Sequence, residues 1–336
     1  MNSSSKVFAT VILALIAASS GARAGTIDAI YAFGDSLSDV GNVFTLTGMP
    51  QPPYANGQYS NGPLWVQGLA TGLGLAPLTP SLLGGTDYAY ASGETGNASF
   101  DTSNPVTDIL GPMGQLAQFE ATHATADPNA LYTIWIGSND LDDILANATP
   151  AQVNPDIVTT VTNIDTVIGT LAGLGAKNFL ILTVPDLGKT PLAIGEGPAV
   201  QAGASAVSSG FDAALTASLA GLGAGLNLKV LNTFSLLDSI VANPGAYNLT
   251  DVTDPCLNTN TMPPTVCANP NQYLFWDEMH PTAAGQALVA DAALALVTPE
   301  PSSVWLTGLG FAGLCLLTRR YAHRDRLRYS RQPDRI

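Results

Sequence analysis

Short apolar runs alternate along this chain with longer segments whose apolar residues recur at helical spacing. Runs 27–33, 88–91, 131–136, 179–184 and 229–231 are rich in β-formers and predict strands. Segments 113–123, 156–174, 199–222 and 282–297 predict helices. In 199–222 the Ala, Gly and Ser content would also suit a linker, but Val200, Val207, Phe211, Leu215 and Leu219 fall on one helical face. Asn154-Pro155-Asp156 punctuates the start of one helix and Gly173 to Gly175 its end. Near-continuous apolar strands separated by helices predict one doubly wound α/β domain, with a parallel sheet covered on both faces. Between Asn42 and Gly85 the Gly and Pro content speaks against regular structure; this loop and the stretch 243–272 are expected to shape a binding pocket.

The two ends break this alternation. At the first, Lys6 precedes an apolar run, 7–18, and Ala22-Arg23-Ala24 has the small-x-small pattern of a cleavage site, so residues 1–24 read as a signal peptide and Gly25 as the start of the mature chain. At the other, Thr298-Pro299-Glu300-Pro301 precedes an apolar stretch, 302–318, followed by seven arginines. Positive charge stays on the cytoplasmic side, which puts the bulk of the chain outside. Residues 298–336 resemble the PEP-CTERM sorting signal of Gram-negative bacteria. That resemblance implies transient membrane insertion through 302–318, a processing protease acting near 298–302, and a domain at the cell surface or released from it. The alternative is a permanent inner-membrane anchor with the domain facing the periplasm.

Charge narrows the partners. Between Gly25 and Pro299 there are three lysines and no arginine against twenty-three Asp and Glu. Such a surface repels phosphate backbones and excludes nucleic acid as a partner. Of the three cysteines, Cys256 and Cys267 share a loop rich in Pro, Asn and Thr, and Cys315 lies in the apolar tail segment. An oxidising compartment predicts a local disulfide between the first two; no histidine stands beside them at metal-ligand spacing, so no metal site is expected.

In a parallel α/β sheet, ligands bind beyond the carboxyl ends of the strands, and four polar segments fall there. The first strand runs into Gly34-Asp35-Ser36-Leu37-Ser38-Asp39-Val40-Gly41-Asn42, where small residues let a tight turn present the Ser36 hydroxyl; the same residues would also make an ordinary turn or cap. The second is followed by Ala91-Ser92-Gly93-Glu94-Thr95, where Gly93 can expose an N–H to a ligand or simply turn the chain. The third ends in Gly137-Ser138-Asn139-Asp140, whose amide can donate to a developing oxyanion or whose residues can cap a helix. Near the end stands Trp276-Asp277-Glu278-Met279-His280-Pro281. Of three histidines, His323 lies in the tail and His123 beside a turn, which leaves His280 as the base a serine needs, with Asp277 to fix its tautomer.

Together and in this order the four segments resemble the conserved blocks of the GDSL, or SGNH, hydrolases, over most of residues 25–297. The resemblance implies a three-layer α/β/α flavodoxin-like fold, no cofactor, Ser36 as nucleophile, Asp277 and His280 as its acid–base partners, and an oxyanion hole from Ser36, Gly93 and Asn139. One departure is Asp87, which stands where an Asn often opens the second block. The implied activity is that of an exported esterase or lipase working through an acyl-serine. A carbohydrate O-deacetylase acting on exopolysaccharide would use the same residues, and a non-catalytic surface or matrix binding protein could keep the fold alone.

Overall fold

The computed structural model describes residues 27–96, 111–222 and 225–298; the expectations for 1–24, for 302–318 and for Cys315 lie outside them. Four parallel strands, β1 (Ile30–Gly34), β2 (Leu131–Trp135), β3 (Asn178–Leu182) and β4 (Asn227–Leu231), form a sheet in that order, paired from Ile30↔Leu131 to Gly34↔Trp135 and likewise across. Run 88–91 is not a ladder strand as predicted. It lies along the outer edge of β1, held by Ala32 N–H to Thr86 O, Tyr88 N–H to Ala32 O and Tyr90 N–H to Gly34 O at 2.7–3.1 Å, with a single parallel bridge at Asp87. Counting it, chain order across the sheet reads 2-1-3-4-5, the flavodoxin-like order.

Alternation along the strands sorts the core into two faces. Phe33, Tyr132, Ile134, Phe179 and Ile181 point to one, covered by α3 (Pro112–Glu120), α5 (Val153–Leu174) and α7 (Pro198–Leu219). Ile30, Ala32, Leu131, Trp135, Leu180 and Leu182 point to the other, covered by α2 (Trp65–Gly72) and α9 (Ala283–Val297). Helix α5 is apolar and long enough to span a bilayer, yet its apolar stripe from Ile157 to Leu171 is buried against the sheet. It starts at Val153, before the expected Asp156, because Pro155 falls in the first turn, where no N–H is required.

The segment 42–85 departs from expectation by holding α1 (Asn42–Thr47) and α2. Its glycines serve packing: a Cβ on Gly68 would stand 2.8 Å from that of Ala290, so at that point α2 and α9 meet with only the Ala290 methyl between them. Short elements complete the described residues: α4 (Ser138–Asn147), α6 (Pro191–Glu196), α8 (Thr233–Ala242), the parallel pair β5 (Asp251–Pro255) and β8 (Tyr273–Phe275), and the hairpin β6 (Leu257–Asn258) and β7 (Thr265–Val266).

Cys256 and Cys267 are joined by a disulfide across that hairpin. Cys256 and Leu257 donate backbone hydrogen bonds to Phe275 O and Trp276 O, and Cys256 packs with Trp276 and Tyr54 in a small apolar cluster. Replacing both cysteines by alanine releases a loop with a sequence separation of 11 and is expected to lower the unfolding free energy by roughly 3 kcal/mol. Denaturant unfolding of the double variant checks this, and an unchanged midpoint would refute it.

Candidate active site

The turn after β1 is built by carboxylates and carbonyls that capture its amides. Asp35 Oδ1 accepts from Leu37 N–H at 2.9 Å, and Asp35 O accepts from Ser38 and Asp39 N–H. Gln115, buried on α3, clamps the Gly34 peptide from both sides at 2.9 and 2.7 Å. A buried Asp39 carboxylate then accepts from Gly41, Asn42 and Val43 N–H and, across the site, from Ala91 N–H. The result holds Ser36 half-exposed at the carboxyl edge of the sheet, at the position where strand order reverses.

The segment carrying His280 arrives from the other end of the chain and is gripped by the loop before α2. Trp276 N–H closes it on His280 O at 2.7 Å; Ser60 Oγ donates to Pro281 O, and Asn61 Oδ1 accepts from Ala283 N–H at the head of α9. His280 Nε2 lies 2.8 Å from Ser36 Oγ, and Nδ1 lies 2.8 and 3.0 Å from the Asp277 oxygens. Asp277 also accepts from Met279 and His280 N–H and from Tyr54 Oη at 2.8 Å. Burial works to raise the Asp277 pKa, but the imidazole and these donors together hold it below the ordinary value. Burial likewise works against the charged imidazole, and Asp277, Asp35 and Asp142 outweigh it, so the His280 pKa is raised. Burial pushes Asp35 up to about 7 and Asp142 up to about 6, with His280 opposing both.

On the far side of Ser36, α4 opens at Gly137, whose φ of 120° and close approach to Phe211 and Val184 require a residue without a side chain. Asn139 sits in the first turn of α4, where unpaired helical N–H groups favour negative charge. Its Nδ2 donates to Gly93 O at 2.7 Å, and Asp140 takes Thr95 N–H and Oγ1, so α4 fastens the 92–95 loop. The expectation for Gly93 is corrected here: its N–H is already spent on Tyr90 O at 3.1 Å and the residue is buried. Ser92, in the left-handed region at φ 65°, lines the pocket instead, and its N–H makes no hydrogen bond among the described residues; the same holds for Ser36 N–H.

A pocket of about 220 Å³ opens at Ser36 and is lined by residues of β2, α8, β8 and α9 and of the loop after β3. The loop 42–85 supplies Tyr59, whose ring lies 5.0 Å from that of His280. The stretch 243–272 supplies no lining residue; it buttresses the His280 segment through the disulfide cluster.

The sequence matches the family of GDSL-like lipases and acylhydrolases over residues 30–293. The chain belongs to this family. Esterase EstA of Pseudomonas aeruginosa is 31% identical over 368 residues, covering 97% of this chain and 54% of its own length, so the chain spans about half of that relative. A GDSL esterase/lipase of Arabidopsis thaliana is 27% identical over 312 residues, covering 79% of this chain and 88% of that one. Among solved structures, the acetylxylan esterase Axe2 of Geobacillus stearothermophilus is 12% identical, with a TM-score of 0.42 over 80% of this chain and 95% of its own.

Within this GDSL chain, sequence reasoning brought Ser36, Asn139, Asp277 and His280 to one place. It missed Tyr54, Gln115 and Ser92. The first lies 223 residues from the carboxylate it serves and carries no local signal. Ser92 could have been suspected as the alternative to Gly93 only from its backbone conformation. Tyr54→Phe removes one donor from Asp277 and leaves more of its charge to the imidazole, so the His280 pKa is expected to rise further. Titration of the His280 ring followed by NMR checks this; a downward shift would mean that Tyr54 does not reach Asp277.

Proposed function

We propose that this chain is a serine esterase that hydrolyses carboxylic esters through an acyl-enzyme. The observation that carries the reading is the continuous hydrogen-bonded path from Ser36 Oγ through His280 to Asp277, with steps of 2.8 Å. In the first half-reaction His280 Nε2 takes the Ser36 proton as Oγ bonds to the ester carbonyl carbon. The tetrahedral oxyanion is held by Ser36 N–H, Ser92 N–H and Asn139 Nδ2, and as it collapses His280 returns the proton to the departing alcohol. In the second, water gives a proton to His280 and its oxygen to the acyl carbon; collapse frees the acid and restores the Ser36 hydroxyl. Membership of the GDSL family and the esterase names of its relatives support the reading. Export is part of the proposal, supported by the charge and apolar pattern of residues 1–24 and 298–336.

Ser36→Ala and His280→Ala are each expected to remove ester turnover without unfolding the chain, with losses on the order of 10^6 in kcat that do not add, because nucleophile and base act as one unit. Asn139→Ala is expected to cost roughly 10^2 to 10^3 in kcat with KM little changed. p-Nitrophenyl ester assays with circular dichroism as a fold control decide both, and near-normal turnover by either of the first two variants would sink the assignment.

The base works only when unprotonated, and its pKa is raised from 6.5. Turnover is therefore expected to fall about tenfold per pH unit on the acid side, with a midpoint above 6.5. A kcat/KM profile with its acid midpoint below 6.5 would show that burial, and not the Asp277 charge, governs the imidazole.

A further inference from the structure

The pocket at Ser36 has two chemically different halves. At the catalytic end stand Ser36, Ser92, Asn139 and His280, together with polar atoms that have no partner, Ser138 Oγ and Asp35 Oδ2. Away from it the walls are Leu236, Leu237 and Ile240 of α8, Leu274 and Phe275 of β8, and Val289 of α9.

The few polar groups that reach this arm are committed to the protein. Trp135 Nε1 donates to Thr183 O at 2.9 Å, and Thr233 Oγ1 donates to the same carbonyl. Thr190 Oγ1 donates to Leu187 O at 2.7 Å and accepts from Ala193 N–H. A sugar hydroxyl entering the arm would give up water and find apolar side chains and donors already engaged. A void among apolar side chains holds no ordered water and costs packing. Here the void opens onto the nucleophile.

We infer that the arm receives an unbranched hydrocarbon chain of medium length from the ester substrate. The whole pocket, its catalytic end included, has a volume of about 220 Å³, several times the ~30 Å³ share of one water or methylene, so an acetyl group alone leaves the apolar arm unfilled. The inference rests on the esterase reading and gives it a substrate class, a medium-chain aliphatic ester as opposed to an acetylated polysaccharide. The chain enters from the acyl or from the alcohol side of the scissile bond, and the two sources are separable.

The test measures kcat/KM of the full-length chain on two series. One holds p-nitrophenol constant and lengthens the acyl group from acetyl to palmitoyl; the other holds acetate constant and lengthens the alkyl alcohol. Each methylene buried in the arm raises kcat/KM about fourfold, so one series is expected to climb well beyond acetate and then level or fall once the arm is filled. Leu236, half-buried on the wall, sets the width of the arm. Leu236→Trp is expected to shorten the preferred chain and reduce the octanoate-to-acetate ratio at least about tenfold, and Leu236→Ala to lengthen it. If the tryptophan variant does not fold, the alanine variant carries the test alone. Acetate as the best substrate in both series, faster turnover of acetylated xylan than of octanoate, or unshifted profiles in the variants would overturn the inference and leave the esterase reading standing. Absence of turnover above that of Ser36→Ala on every ester would remove both.

Discussion

The Asp39 carboxylate accepts three amides of the turn that follows Ser36 and a fourth from Ala91, on the loop that carries Ser92. Together with Tyr90 N–H on Gly34 O and the Asn42 amide on Asp87 O and Ala89 O, this carboxylate ties the nucleophile turn to the Ser92 loop. Burial pushes Asp39 up to about 6 even against four donors. Asp87 lies beside it, buried, pushed well above the usual carboxylate range by burial and by the Asp39 charge, while accepting Val40 and Ala89 N–H. Two buried acidic groups that feel each other's charge cannot both ionise cheaply. An Asn at position 87 would carry no charge against Asp39, where Asp87 accepts two amides but adds a second carboxyl, which gives physical content to this departure from the family pattern. Asn42, whose amide donates to Asp87 O and Ala89 O, bridges the pair.

The catalytic end of the molecule is assembled from four places in the chain, and what the sequence made legible follows from how local each signal was. Strands β1, β2 and β3 are apolar runs buried on both faces, and the residues that follow β1 and β2 land at the carboxyl edge because a parallel sheet has only one such edge. Ser36, Asn139 and the Asp277 and His280 pair were therefore readable as types at positions. Segment 42–85 was not, because its glycines looked like breakers. Gly68 instead permits contact between helices, a property of the partner helix 222 residues onward and invisible locally. Gly93 was misjudged for a related reason: a glycine suggests a freely presented amide, but the hydrogen bond to Tyr90 O decides which peptide of the loop faces the pocket.

Asp142 and Asp35 add a long-range influence on His280 beyond its direct partner Asp277. Burial pushes both carboxyls up, to about 6 and about 7, so the field that they exert on the base depends on their own protonation. The imidazole and the two carboxyls form a coupled set, and a single-site description of the acid limb is an average over them.

The reach of the hydrogen bond between His280 and Ser36 spans 244 residues, and α9 closes against α2 on the same face. During synthesis the nucleophile turn leaves the ribosome long before the histidine that would ionise it, and the helix that seals the second face comes later still. Contacts of such separation form slowly and late. A nascent chain would therefore carry a chemically inert serine, and the proposed hydrolytic competence would begin only when the two distant segments of the polypeptide had met.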